Sequence, residues 1–430
     1  MTSLIDLLSP RLGPIQTCLL QYLDPGAIAT LTAACKDFGC LWPRLMASAY
    51  NIDHQLRNFF TNPKDFRSAQ GESGALIFDG VCPNLLRFFT RGDNRRVKTL
   101  ILHIQDEHTD PMVTYLETEG YTLQDPNEMY PGTPQCGNGQ MAFRKKPYWV
   151  NIEHHKTSPI QRLLERATSD RLMFLSWNKA YAIFPVETLV KQECLLLSDG
   201  DAILEIEIGR FERQRRTKSD AITAVCGITT QEGESRKTGP TVIMSAGKTN
   251  EGGEELHYDI AKNPPPSTVR KVGDKRTLCL QLDTEGVKAP TTPDAVLESA
   301  MFLLRRYENP FVSQYHEVQH PRHSIQFISL GHPILKHTYL IPTTNDHLFA
   351  SNNDLTHIME DLRIKLDGLT LKEMEKVPEA ERPIEFARVR DAHESGSILR
   401  DTFPLPVDWT FYDDEVLEEL GVAWESRDGV

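Results

Sequence analysis

Closely spaced cysteine pairs are missing from this sequence, although the number of cysteines is ordinary. There are 8 cysteines in 430 residues, and no two of them form a Cys-x-x-Cys pair. That usage excludes a disulfide-stapled scaffold and a zinc ribbon. It favours free thiols in a reducing compartment, so we expect a cytoplasmic protein.

Long apolar runs are missing as well. The run Ala27–Ala34 falls well below the ~20 residues that a membrane-spanning helix needs. The N-terminal segment Met1–Pro14 carries Asp6 and lacks the apolar core of a secretion signal. We therefore expect a soluble protein with no membrane partner.

Motifs that bind nucleotides or metals are also absent from the sequence. It has no Walker, Rossmann or Gly-x-Ser-x-Gly pattern. The histidines lack a metal-binding rhythm: His154 and His155 are adjacent, and Pro321 follows directly on the helical spacing of His316 and His320. Without a third ligand at a regular spacing, we expect no metal site.

Negative charge is concentrated at one end of the chain. Asp346 to Val430 holds 21 acidic and 9 basic residues, which leaves 39 acidic and 38 basic residues for the rest. A nearly neutral body thus precedes an acidic tail. The overall sign disfavours non-specific coating of nucleic acid, but a local basic face on the body is compatible with it.

A dense group of cations follows the strand-like run Ala202–Ile208. Five cations and one aromatic residue lie within nine residues: Arg210, Phe211, Arg213, Arg215, Arg216 and Lys218. Cations at this density can bind a phosphate backbone while an aromatic ring stacks on a base, so we interpret the cluster as a candidate RNA-binding segment. A solvated loop is the alternative.

Hydrophobic periodicity changes along the chain and indicates an α+β fold. Apolar residues recur at helical steps over 1–50, whereas runs such as Lys98–Ile104 are typical of strands. An apolar stripe predicts a helix over Pro293–Tyr307, and the acidic tail predicts one over Asp354–Leu366. We expect three regions: a helical head, 1–65; a mixed-sheet body with a β-rich elaboration, 66–345; and an acidic helical tail, 346–430.

The head carries apolar residues around a Leu-Asp-Pro turn. Leu19–Leu23, Asp24-Pro25, Leu31 and Trp42 are arranged so that the head resembles an F-box. An F-box docks the adaptor of cullin ubiquitin ligases, so the resemblance implies that adaptor as a partner. A plain apolar helical core is the alternative reading of the same stripe.

The start of the body shows a second resemblance. The segment Phe66–Ile77 contains Arg67, Gln70 and Ser73-Gly74, and Leu85 and Phe88-Phe89 follow it. It resembles a family of fungal proteins that join an F-box-like head to a nucleotidyltransferase-like body. The resemblance implies that fold for the body.

Two positions depart from that family's catalytic pattern. Asp79-Gly80 stands where the family has a Gly-Ser that lets backbone amides approach a phosphate. Arg95-Arg96 and Lys98 stand near the place of a metal-binding Asp-x-Asp, and cations there repel Mg²⁺. The fold with its nucleotidyltransferase activity lost is therefore what this resemblance implies. A non-catalytic ubiquitin-ligase adaptor or pseudoenzyme is one reading of the whole chain.

The acidic tail ends in aromatic residues followed by carboxylates. After Trp409, the residues Asp413, Asp414 and Glu418 fall on a predicted short helix, and Asp414 and Glu418 share one face because they are four apart. An acidic surface is one interpretation of this cluster, and a site for a cation or an amine is the other.

This segment resembles the Asp-Asp-x-x-Glu motif of fungal arginine-containing cyclodipeptide synthases, with one additional residue before Glu418. That family joins arginine from Arg-tRNA to a second aminoacyl group and closes a diketopiperazine. The resemblance implies that Asp413 or Asp414 pairs with the guanidinium and that Glu418 accepts the amine proton. Aminoacyl-tRNAs are the implied partners, and no cofactor is expected because the aminoacyl esters are already activated. The expected function is therefore tRNA-dependent cyclodipeptide synthesis in fungal secondary metabolism.

Overall fold

A computed structural model of the chain describes the residues 12–15, 31, 51–78, 98–124, 139–166, 168–190, 195, 197, 267–313, 316–342, 353–378, 382 and 405–428. The chain divides into two compact units, each described by itself. Unit one comprises Met1–Glu251, Lys275–Thr292 and Tyr307–Ser324. Unit two comprises Gly252–Asp274, Pro293–Arg306 and Ile325–Val430. The head–body–tail boundaries expected from the sequence stay a prediction.

Helices and strands are mixed along the described residues, which confirms the α+β class. The helices are Ile52–Leu56 (α1), Pro63–Glu72 (α2), Asp110–Thr118 (α3), Pro159–Leu164 (α4), Asp294–Glu298 (α5), Asn353–Met374 (α6) and Asp413–Asp428 (α7). The strands are Ile77–Phe78 (β1), Thr99–Gln105 (β2), Thr122–Gln124 (β3), Gln140–Lys145 (β4), Tyr148–His155 (β5), Met173–Leu175 (β6), Lys179–Ala182 (β7), Ser267–Lys271 (β8), Leu278–Gln281 (β9), Met301–Ser313 (β10), His316–Gln326 (β11), Ile328–Leu330 (β12) and Tyr339–Ile341 (β13).

Two of the sheets that the described residues form lie in unit one. In the first, the strand order is β2-β5-β4-β3, with β2 parallel to β5 and the other pairs antiparallel. In the second, the order is β1-β6-β7-β9, and every pair is antiparallel. Leu76 also bridges to His103, so the residue before β1 contacts β2. Unit one therefore combines a mixed sheet with an antiparallel one.

Helix α2 begins where local chemistry dictates. The Asn62 side chain accepts a hydrogen bond from the Lys64 N–H at 3.2 Å, and Pro63 occupies the first turn, where no intrahelical donor is needed. The helix ends before Gly74, whose φ of 59° is in the left-handed region that favours glycine. The following residues then enter β1 directly.

The residues that carried the second resemblance form an internal brace in unit one. The buried guanidinium of Arg67 donates to the Asp53 carboxylate at 3.0 Å, to the Trp177 carbonyl at 2.7 Å and to the Asp283 carbonyl at 2.6 Å. The amide of Gln70 donates to the carbonyls of Ala75 and Leu175, both at 3.1 Å. These side chains join distant parts of the chain, so the motif is structural.

The helix expected over Pro293–Tyr307 is a wrong prediction. Only α5 is helical there, and the chain enters β10 at Met301. Met301 to Leu303 are all buried and pair antiparallel with Val269–Lys271. A continuous buried apolar run has the same sequence pattern in a strand as in a helix, so pairing decided the structure.

The core of unit two joins β13 to the two tail helices. Tyr339 and Ile341 pack in one buried cluster with Met301, Ile334, Leu335, Leu362, Leu366, Val416 and Leu420. Within the described part of the tail, the two helices are Asn353–Met374 and Asp413–Asp428. Among the helices of the described residues, none combines the length and apolar character that crossing a membrane requires.

Candidate functional site

Asp413 is the first residue of α7, and its carboxylate is held by three donors. Its Oδ2 accepts from the Lys336 N–H at 2.8 Å, and its Oδ1 accepts from the His337 N–H at 3.0 Å. The buried Tyr339 hydroxyl also donates to Oδ1, at 2.9 Å. Burial and the neighbouring Asp413 charge raise the pKa of Tyr339, so this hydroxyl stays protonated and keeps donating. Both Asp413 oxygens are thus committed to fixing the start of the helix.

A second carboxylate holds the chain just before α7. Glu373 is 1% exposed and accepts from the Tyr412 hydroxyl at 2.8 Å, the Thr410 N–H at 3.0 Å and the Lys376 ammonium at 2.5 Å. Burial acts to raise the pKa of Glu373, but the hydrogen bonds from Lys376, Thr410 and Tyr412 outweigh it and lower the pKa below 4.5. The segment entering α7 is therefore fixed by buried polar contacts.

Asp414 and Glu418 lie on the opposite side of α7 from its packing contacts. Both residues are exposed, whereas Val416 and Leu420 are buried in the core of unit two. Residues four apart lie one above the other on a helix, so the two carboxylates form an exposed pair on one face. The partial positive charge of the helix N-terminus favours negative charge at Asp414.

Glu419, a neighbouring carboxylate on α7, forms a salt bridge with a lysine. Glu419 pairs with the Lys365 ammonium of α6 at 2.9 Å, and the hydrogen bond from that ammonium to Glu419 raises the pKa of Lys365. The charge of Glu418 also acts on Lys365, so this ammonium lies near the exposed pair as well. The arrangement can receive a guanidinium or an ammonium on the Asp414–Glu418 face.

The candidate RNA-binding residues lie outside the described residues. They are Arg210, Phe211, Arg213, Arg215, Arg216 and Lys218, and Asp79-Gly80 and Arg95-Arg96 lie outside as well. Lys98, the first described residue before β2, is exposed. Two further cations of the body have intramolecular partners: the Arg144 guanidinium lies 4.8 Å from the Trp149 ring centre, and the Lys145 ammonium donates to the Glu119 carbonyl at 2.6 Å.

The structure brings together three side chains whose proximity the sequence did not indicate. His103 on β2 lies beside Glu153 and His155 on β5, and their ligand-type atoms all fall within 4.8 Å of one another. Glu153 and His155 are two apart on a strand, so alternation alone places them on one face. The pairing of β2 with β5, which no local pattern reveals, supplies His103.

Comparison of the chain with known protein families, with curated proteins and with solved structures finds no match.

Proposed function

We propose that this chain is a tRNA-dependent arginine-containing cyclodipeptide synthase of fungal secondary metabolism, acting in the cytoplasm. The single observation that carries the proposal is the start of α7. There Asp413 is anchored by three hydrogen bonds, and the neighbouring Asp414 and Glu418 are left exposed on one helix face.

The reaction needs no cofactor because each aminoacyl ester already carries its leaving group. The α-amine of one aminoacyl-tRNA attacks the ester carbonyl of the other, forming an amide bond and releasing one tRNA through its terminal hydroxyl. The second amine then attacks the remaining ester, closes the six-membered ring and releases the second tRNA. Each attacking amine loses one proton, which a carboxylate can accept and pass to the departing hydroxyl.

The three acids divide these tasks in the proposal. Asp413 is a positioning residue, because its oxygens already accept from the chain. Asp414 pairs with the arginine guanidinium, which offers parallel N–H donors to a carboxylate. Glu418, one helical turn further on, accepts the amine proton. Holding a guanidinium and a base on one rigid turn supplies the orientation that bimolecular aminolysis otherwise lacks.

The remaining parts of the proposal rest on the sequence. The cation cluster from Arg210 to Lys218 binds the acceptor stems of the two tRNAs. The body keeps a nucleotidyltransferase-like fold without that activity, and a mixed sheet with the parallel pair β2 and β5 is compatible with it. The head is F-box-like and offers a docking surface for a ubiquitin-ligase adaptor.

The test is product formation by the full-length chain. The purified protein is incubated with Arg-tRNA and a mixture of other aminoacyl-tRNAs, and the products are analysed by mass spectrometry for cyclic arginine dipeptides. Glu418→Gln should lower the rate by at least about 100-fold, the usual contribution of a positioned acid or base. Asp414→Asn should also lower the rate, because the amide loses the charge that pairs with the guanidinium. Asp408→Asn is the matched control, because Asp408 is an exposed acid on the same tail.

Full activity in Asp414→Asn would remove the proposed role of the exposed pair. Wild-type protein that makes no cyclic dipeptide from any mixture would remove the proposed function. Capture of the small cullin adaptor by that inactive protein would instead support the reading of the chain as an adaptor.

A further inference from the structure

We propose that His103, Glu153 and His155, here called the His-Glu-His cluster, form a binding site for a divalent transition-metal ion, for which zinc is the best fit. The cluster lies in unit one and takes no part in the proposed cyclodipeptide chemistry. Two imidazoles and one carboxylate are a common ligand set for zinc, with the fourth position left open.

The distances within the cluster support this assignment. The His103 Nδ1 lies 3.3 Å from the His155 Nε2 and 3.5 Å from the Glu153 Oε2. With zinc–nitrogen bonds of about 2.0–2.1 Å in a tetrahedron, neighbouring ligand atoms lie roughly 3.3–3.4 Å apart. The third separation, His155 to Glu153, is within 4.8 Å. Binding therefore requires only a small movement of one side chain.

The cluster combines one fixed ligand with two adjustable ones. His103 is 1% exposed, and its ring stacks on Phe78 with centres 3.6 Å apart. Glu153 and His155 are only partly buried, so they can adjust and leave the cluster open to ions from solvent. Because Glu153 is the β-pair partner of His103, the two strands hold the ligands in register.

The two imidazoles are suited to metal ligation because they are neutral at pH 7, whereas the raised pKa of Glu153 opposes ligation by its carboxylate. Burial, then the charges of Arg166, His155 and Arg162, lower the pKa of His103 to about 2, so its imidazole is neutral at pH 7. Burial is also the main cause that lowers the pKa of His155. Burial raises the pKa of Glu153, while Arg166 and Arg162 oppose that rise. Neutral imidazoles offer the lone pairs that a metal ion requires.

Two features of the surroundings limit the affinity. The nearby charges of Arg162 and Arg166 repel a cation. The His103 Nε2 is buried and has no hydrogen-bond partner within the described residues. Metal-bound imidazoles normally donate their other N–H, and loss of that partner weakens binding by about 10–100-fold. We therefore expect a site weaker than a fully supported structural zinc site.

The experiment titrates ZnCl₂ into the chelator-treated full-length protein and measures heat by calorimetry and the zinc bound after desalting. We expect one zinc ion per chain with wild-type protein. His155→Ala should weaken binding by at least about tenfold, as losing an even more distant partner does. His154→Ala is the matched control, because His154 is adjacent, faces the opposite side of β5 and contacts Asp106 at 2.8 Å. It should bind zinc like the wild type.

A charge variant separates a metal site from its rival, an anion site built from the same histidines and the two arginines. Arg162 is accessible at the surface, and its guanidinium pairs with Glu165 at 2.6 Å. Arg162→Gln should strengthen zinc binding by a few-fold, because one repelling charge is removed. No zinc binding by wild type, or equal losses in His155→Ala and His154→Ala, would overturn the proposal. Binding of inorganic phosphate that Arg162→Gln abolishes, without zinc binding, would assign the cluster to anions.

Discussion

Removing the Asp413 carboxylate should release the start of α7 from the core of unit two. Asp413→Ala leaves the N–H groups of Lys336 and His337 and the Tyr339 hydroxyl without their acceptor. A hydrogen bond to a charged group contributes about 1.5–3 kcal/mol, but the Lys336 and His337 N–H groups can partly rebind water. We therefore expect a local loss of about 2–4 kcal/mol rather than the sum of three full contributions.

Hydrogen exchange measures this loss where it occurs, without requiring the two-unit chain to unfold in a single step. A loss of 2–4 kcal/mol corresponds to exchange about 30–1,000-fold faster at the Lys336 and His337 amides. Asp414→Ala is the control: its exposed side chain should change that exchange by less than about threefold, the equivalent of 0.5 kcal/mol. Unchanged exchange in Asp413→Ala would refute the anchoring role of this carboxylate.

Two further predictions concern buried charges. Arg67→Met leaves the Asp53 carboxylate buried without its partner, so the free energy of unfolding of unit one should fall by about 3–5 kcal/mol in denaturant titration. In the control variant Arg57→Met, which changes an exposed residue, the free energy of unfolding should change by less than about 0.5 kcal/mol. An equally small change in Arg67→Met would contradict the bracing role of Arg67. Because the pKa of folded Glu373 lies below 4.5, its contribution is present above that pH and is lost as the pH falls through the folded value. Glu373→Gln should thus be less stable than wild type at pH 7. In thermal melting experiments at decreasing pH, the difference in stability between the two proteins should become smaller. A difference that stays constant with pH would contradict this.

Local chemistry predicted those parts of the fold whose causes lie within a few residues. The apolar run Lys98–Ile104 predicted a strand, and Asp354–Leu366 predicted a helix, as β2 and α6 confirm. The segment after Pro293 was wrongly predicted as a helix because an apolar run carries no information about its pairing partner. The structure buries that run by pairing it with β8.

The sites divide in the same way. The sequence placed Asp414 and Glu418 on one helix face because their spacing alone determines it. It did not indicate that the Asp413 carboxylate accepts hydrogen bonds from the Lys336 and His337 N–H groups, which are distant along the chain. The sequence did not indicate the His-Glu-His cluster either, because His103 comes close to Glu153 and His155 only through the pairing of β2 with β5.

The central claim is that an exposed carboxylate pair on α7 selects a guanidinium from a charged tRNA. The most direct measurement compares Arg-tRNA with Lys-tRNA in otherwise identical mixtures, with cyclic dipeptides quantified by mass spectrometry. A lysine ammonium lacks the planar fork that pairs with a carboxylate through two parallel bonds, so we predict arginine-containing products and none that depend on Lys-tRNA. Equal product from both tRNAs, or no product from either, would contradict the account.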